Sequence, residues 1–177
     1  NENGPFYDTG TDGEVLLTRN AEGYDGVEPS GNSSVANAFL RLNSYGRESE
    51  FFEDAQRVFR CFSPMFNQAG VSFCSMLSGL HFSLSGPKEV VISGRRGDAE
   101  TEALLSEVRR EFHPNTVTAF LEDSNSKLTE EIIPLASGRP MLNGRATAYV
   151  CQNQACRLPV HTVEELRELL DSSYFQN

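Results

Sequence analysis

The sequence predicts a mainly α-helical N-terminal part followed by a C-terminal α/β section. Three observations predict it. From residue 30 to 85 the apolar residues recur at steps of three and four. At "SGPKEVVISG" (85–94) that period gives way to a short β-branched run closed by glycine. Beyond it, strand-like and helix-like segments alternate. The expected division is a helical region over 1–86 and an α/β subdomain over 87–177.

Each element has its own warrant. Ser30 to Leu42 carries Val35, Ala38, Phe39 and Leu42 on one helical face; the next segment carries Phe51, Ala55, Val58, Phe62 and Met65; a third carries Phe73, Met76, Leu77, Leu80 and Leu84. The loops between them, "NSYGRE" and "NQAG", are short, so consecutive helices should run antiparallel. Three broad apolar faces look like part of a helical layer, not a finished bundle. Pro87 stops the last helix, and Glu89–Ser93 reads as a buried strand. In "GDAETEALLSEVRREF" Asp98 is the expected N-cap of a helix with Leu104, Leu105, Val108 and Phe112 on one face. "TVTAFLE" is a second strand, and "LTEEIIPLA" a short helix broken near Pro134. "ATAYVCQNQACRLPV" reads as two strands around a four-residue turn. "TVEELRELL" opens with a capping box, Thr162 to Glu165, ahead of Val163, Leu166, Leu169 and Leu170. This order requires at least partly parallel strand pairing.

Bulk properties narrow the function classes. The 177 residues are 38% hydrophobic and 23% charged, the composition of a globular protein. The net charge of −10 divides into −6 over 1–86 (5 basic, 11 acidic) and −4 over 87–177 (10 basic, 14 acidic). No basic stripe matches a phosphate backbone, so nucleic acid and anionic membrane are poor partners. No apolar run approaches the length of a membrane span. The chain opens on "NENGPFYDTGTDG" without methionine or signal pattern, which reads as a cut or processed edge; the cytoplasm is the default expectation.

Several stretches carry a family resemblance. "GPFYDTGTDGEVLLTRNAEGYDGVEPSGNSSVANAFLRL" resembles the segment of the spermatogenesis-associated protein 20 family, also described as thioredoxin-domain-containing proteins. That segment has a Phe-Asp-Thr start (Tyr-Asp-Thr here), an Arg, and an Asp-Gly-x-x-Pro-Ser-Gly-Asn-Ser core. "KEVVISGRRGDAETEALLSEVRREFHPNTVTAFL" resembles its penultimate section. "ATAYVCQNQACRLPVHTVEELRELL" resembles its C-terminal signature, a Tyr-Val-Cys followed five residues later by a Cys-x-x-Pro-Val and a capped helix. The resemblance runs in order over nearly the whole chain. It implies an N-terminal thioredoxin-like domain, then an (α/α)6 toroid of the six-hairpin glycosidase type, similar to N-acylglucosamine 2-epimerases. This chain would then be the terminal hairpins of that toroid, 1–86, followed by a small mixed-sheet subdomain. It departs from the family pattern in lacking the thioredoxin-like domain and most of the ring. Three helices cannot close a twelve-helix ring, so an active site would be at most half present.

The loop "YDGVEPSGNSS" (24–34) concentrates candidate site residues in front of a helix. Its carboxylates Asp25 and Glu28 and its caps Ser30 and Asn32 suit the orphan N–H groups and partial positive charge there, with Gly26 and Gly31 supplying turn conformations. That reading makes the loop a cap. In a toroid such loops rim the ligand cavity, which gives a second reading: Asp25, Glu28, Ser30 and Asn32 bind a sugar-like ligand, joined by Tyr7, Asp8 and Arg19. Paired carboxylates would serve acid–base chemistry in epimerisation or glycoside cleavage. Asn32-Ser33-Ser34 is formally a glycosylation sequon, poorly placed at a helix start.

Other chemistry is sparser. Cys151 and Cys156 flank the hairpin turn and are either structural thiols or a disulfide or redox pair; the spacing is not Cys-x-x-Cys. Cys61 and Cys74 fall in helical apolar patterns and are expected as buried thiols. His81, His113 and His161 stand singly, so no metal and no cofactor is expected. "VVISGRRGDAE" faintly suggests an anion site, but Gly-x-Gly-x-x-Gly is absent and Asp98 occupies the helix start.

Two function classes remain. One is a section of a six-hairpin-glycosidase-like protein that binds or isomerises a carbohydrate-like ligand, without a complete catalytic set in this chain. The other is a non-catalytic scaffold that positions a redox-active thioredoxin-like domain or a partner protein. Either way the expected partner is the remainder of the same protein or another chain.

Overall fold

A computed structural model describes residues 4–13, 17–46 and 49–171. Among these residues the chain divides into two compact units, bounded as Asn1–Asn43 with Glu48–Leu84 and as Ser44–Arg47 with Ser85–Asn177. The whole is helical with one small mixed sheet.

The first unit is built on α1 (Gly31–Gly46), α2 (Ser49–Ala69), a 3₁₀ turn (Gly70–Phe73) and α3 (Cys74–Ser85). Ala36, Leu40, Ala55, Val58, Phe59, Phe62, Phe73, Met76 and Phe82 form its buried apolar set. Phenylalanine rings knit it together: Phe39 stacks on Phe51 at 5.1 Å between centroids, and Phe73 meets Phe66 at 5.3 Å and Phe62 at 6.2 Å. Pro64 lies inside α2 and deprives the carbonyl of Arg60 of its usual N–H donor. The Ser63 hydroxyl donates to that carbonyl at 3.1 Å instead, so the helix runs on to Ala69.

Three expectations change here. Helix α1 does not stop at Leu42 but continues to Gly46. Its inward face is not Val35–Ala38–Phe39–Leu42: the buried positions up to Asn43 are Asn32, Ser33, Ala36 and Leu40, while Leu42 is 46% exposed. Apolar periodicity misplaces the face because two of these four residues are polar. Leu84 is 77% exposed at the end of α3, and the thiols of Cys61 and Cys74 are half-buried and exposed, not buried. Cys74 opens α3 and its sulfur turns to the carbonyl of Val71.

The second unit is a four-stranded sheet in the order β2-β1-β3-β4, with β1 (Lys88–Gly94), β2 (Thr116–Glu122), β3 (Thr147–Gln152) and β4 (Ala155–Cys156). β1 and β2 pair in parallel through the crossover helix α4 (Ala99–Arg110), and β1 pairs antiparallel with β3. Alternation puts Val90 and Ile92 of β1 beside Ala148 and Val150 of β3 on one face. Leu104, Leu105 and Val108 of α4 and Leu166 and Leu170 of α6 (Val163–Asp171) cover that face. Between β2 and β3 run α5 (Ser126–Ile132) and a 3₁₀ turn at Pro134–Ala136, the break expected at Pro134. The capping box of α6 is formed: the Glu165 N–H donates to Thr162 Oγ1 at 3.3 Å, and the Thr162 N–H donates to Glu165 Oε2 at 3.2 Å.

Three details depart from the sequence reading. Asp98 occupies the N-cap of α4 without a side-chain capping bond; Thr101 Oγ1 and Glu102 Oε1 accept the N–H groups of Arg95 and Gly97 there. Phe112 lies beyond the end of α4 and is 89% exposed. The β3–β4 turn has two residues, not four, because Gln152 pairs with Ala155 and only Asn153 and Gln154 turn the chain.

Candidate functional site

The 24–34 loop is a backbone-binding device. Asp25 Oδ1 accepts the N–H of Ser30 at 2.9 Å, and its Oδ2 accepts those of Ser75 at 2.8 Å and Met76 at 3.2 Å. One carboxylate thereby serves the starts of α1 and α3. Burial pushes the Asp25 carboxyl up, but the N–H groups of Ser30, Met76 and Ser75 and the Ser33 hydroxyl outweigh it and hold it below its ordinary value. A carboxylate so stabilised as the anion is a weaker proton acceptor than a free one.

Ser30 is the N-cap of α1: its Oγ accepts the N–H of Ser33 at 3.1 Å and donates to Ser33 Oγ at 2.9 Å. Asn32 is 1% exposed. Its Oδ1 accepts the N–H of Phe6 at 2.8 Å, and its Nδ2 donates to the carbonyls of Phe6 and Glu22, both at 2.9 Å. The amide thus uses three bonds to hold two incoming backbone segments, and the sequon nitrogen is spoken for. Gly26 and Gly31 do not supply left-handed turns; neither has a positive φ.

Of the remaining candidates, Asp8 brings its Oδ1 to 3.9 Å from where a Cβ on Gly31 would stand, at the start of α1. Tyr7 lies under the guanidinium of Arg19, 4.3 Å from ring centroid to Cζ. Arg19 is tied by its terminal nitrogen to the carbonyl of Thr9. Asp8 is exposed, with its N–H donating to the carbonyl of Asn20 at 2.9 Å, and Glu28 is exposed.

Two contributors escape the sequence reading. Glu22 Oε1 accepts the N–H groups of Gly23 and Tyr24 at 2.9 and 2.8 Å. Asn37 Nδ2 donates to the carbonyls of Ser33 and Ser75, both at 2.9 Å, joining α1 to α3. The available signal is the spacing of Ser33 and Asn37, which puts two polar side chains on one helical face.

In the second unit, Cys151 and Cys156 oppose one another in the β3–β4 pairing with their sulfurs bonded. Arg139, which the sequence reading did not single out, brings its guanidinium to both sulfurs. A cavity of about 320 Å³ lies between α4 and β2, lined by Leu105, Val108, Arg109, Thr118 and Phe120. None of its lining residues belongs to the 24–34 loop. Among the described residues, no group of three or more His, Cys, Asp or Glu could hold a metal ion, and no helix is long and apolar enough to cross a membrane.

Comparison with known proteins places the chain. It is 32% identical over 158 residues to human spermatogenesis-associated protein 20, covering 89% of this chain and 20% of that protein. The mouse protein of the same name is 31% identical over the same shares. An uncharacterized protein of Caenorhabditis elegans is 31% identical over 178 residues, 97% of this chain and 23% of that protein. The chain thus spans about a fifth of the length of the curated relatives it matches. No family model and no solved structure matches it. The resemblance read from the sequence stands: the chain is a homologue of one section of spermatogenesis-associated protein 20.

Proposed function

We propose that this section, homologous to spermatogenesis-associated protein 20, is a non-catalytic scaffold within a longer protein, its helical unit docking against the remainder of that protein. The carrying observation is the use made of Asp25 and Asn32. Both were candidates for a sugar hydroxyl, and between them they accept or donate six bonds to backbone groups. A ligand would have to replace these bonds, leaving buried N–H and C=O groups unpaired.

Exposed apolar residues supply the docking surface. The Asp25 N–H donates to the carbonyl of Ser72 at 2.7 Å, which brings the 24–27 stretch beside the 70–73 turn. Val27 and Val71 are 106% and 89% exposed, next to Tyr24, whose ring packs on Phe73 at 4.9 Å. The relatives' extra length supplies an occupant of the right kind, a segment of the same longer chain.

The test uses the full-length protein and a panel of sugars. The scaffold reading expects Asp25→Ala and Asn32→Ala to lower melting temperature and to leave any sugar binding unchanged. A sugar whose binding vanishes in Asn32→Ala at unchanged stability would overturn it and favour the carbohydrate reading.

A further inference from the structure

The β3–β4 hairpin carries a group that a purely structural cross-link would not need. Cys151 is 1% exposed and Cys156 lies on the exposed β4 edge, with Cα atoms 4.0 Å apart. Arg139 Nη2 sits 3.3 Å from Cys151 Sγ and 3.6 Å from Cys156 Sγ. Its other terminal nitrogen donates to the carbonyl of Leu135, a fully buried residue, which anchors the guanidinium in place. A neutral disulfide sulfur is a weak acceptor and gains little from this cation. A thiolate at the same place gains a charge-assisted bond. The cation therefore favours the state in which sulfur is negative, which is the reduced pair and the departing thiolate during exchange.

We propose that Cys151–Cys156 is a redox-active disulfide that exchanges with thiol reductants, with Arg139 stabilising the departing thiolate. A reductant thiolate approaches the exposed side and bonds to Cys156 Sγ. The bond between Cys156 and Cys151 breaks, and its electron pair leaves with Cys151 Sγ opposite Arg139. A second reductant thiolate attacks the reductant's own sulfur in the mixed disulfide and releases Cys156. Two electrons pass to the protein, the two reductant thiols become a disulfide, and their protons go to solvent or to the cysteines.

The hairpin gives this exchange a structural readout. Asn153 and Gln154 turn the chain at φ 50° and 63°, the left-handed pair of a two-residue hairpin turn. Reduction removes the covalent constraint next to Gln152, whose amide donates to the carbonyls of Ser85 and Gly86 beside β1.

The full-length protein, equilibrated with glutathione and glutathione disulfide at graded ratios, tests this. Trapping free thiols with maleimide and mapping peptides by mass spectrometry separates this pair from Cys61 and Cys74; circular dichroism follows the fold. The expected result is a two-electron transition within the glutathione range with the fold retained. Arg139→Gln should make reduction slower by roughly two- to fivefold, the effect of one pKa unit on the leaving thiolate at a fractional Brønsted slope, and slightly less favourable, and Arg139→Lys should restore most of the rate. Three outcomes overturn the proposal: a pair reduced only on unfolding, a pair never bonded at any ratio, or Arg139→Gln behaving as wild type.

Discussion

Asp25 holds the backbone N–H of Ser75, fifty residues away, at 2.8 Å while its other oxygen holds that of Ser30. One side chain therefore sets the starts of two helices. Asp25→Asn keeps the shape but turns an amide donor toward N–H groups, and it should cost about 1–3 kcal/mol in denaturant melts. The folded carboxyl is held below its ordinary value of 3.8, so its contribution is complete above that value. It is lost as pH falls through the folded value. Asp25→Asn should flatten that part of the acid stability profile.

Gly23 should not tolerate a methyl group. A Cβ there would fall 2.3–2.8 Å from ring carbons of Phe62, which is 6% exposed and packed against Phe73. Gly23→Ala must displace a buried ring, at about 1–3 kcal/mol. A Phe62→Leu background, with a smaller side chain at that point, should recover part of the loss in the same melts.

Much of this architecture is legible in residue order where a local rule decides it. The β1 run, the α6 capping box and the break at Pro134 each follow from a few adjacent residues. The face of α1 is illegible to apolar counting because Asn32 and Ser33 point inward, satisfied by hydrogen bonds that periodicity cannot see. For the candidate loop, the sequence supplies the ingredients but not their partners: Phe6, Glu22 and Ser75 are 26, 10 and 50 residues distant. Arg139 likewise reaches Cys151 and Cys156 across 12 and 17 residues. Spacing alone therefore leaves cap and ligand site open, and the backbone partners of Asp25 and Asn32 emerge only in three dimensions.

The β3–β4 turn should be improvable. Gln154 adopts φ 63° at a position where glycine carries no side-chain clash. Gln154→Gly should stabilise the oxidised protein by about 1 kcal/mol, the approximate cost of a left-handed residue. Thermal melts of the oxidised protein check the sign; a loss of stability would mean that Gln154 contributes more by contact than it costs in backbone conformation.

Glu107 ties α4 to α6 through charge. Arg167 donates from Nε and Nη2 to its two oxygens, each at 2.9 Å, and Arg110 adds a bond at 2.8 Å. The Arg167 bonds are the largest influence on the carboxyl; burial opposes them, Arg110 adds to them, and the value falls from 4.5 to about 2. A depressed carboxyl stabilises the fold fully above its unfolded value and loses that contribution as pH falls through the folded one. Stability attributable to Glu107 should therefore persist above about pH 4.5 and decline toward about pH 2. Glu107→Gln should cost about 1.5–3 kcal/mol at neutral pH, the range for hydrogen bonds to charged groups, and less in acid. Arg167→Gln removes the leading donor, so the acid midpoint of the remaining Glu107 contribution should move upward. Urea melts over the acid range, run on both variants and the wild type, separate these effects, because a packing defect alone would lower stability equally at every pH.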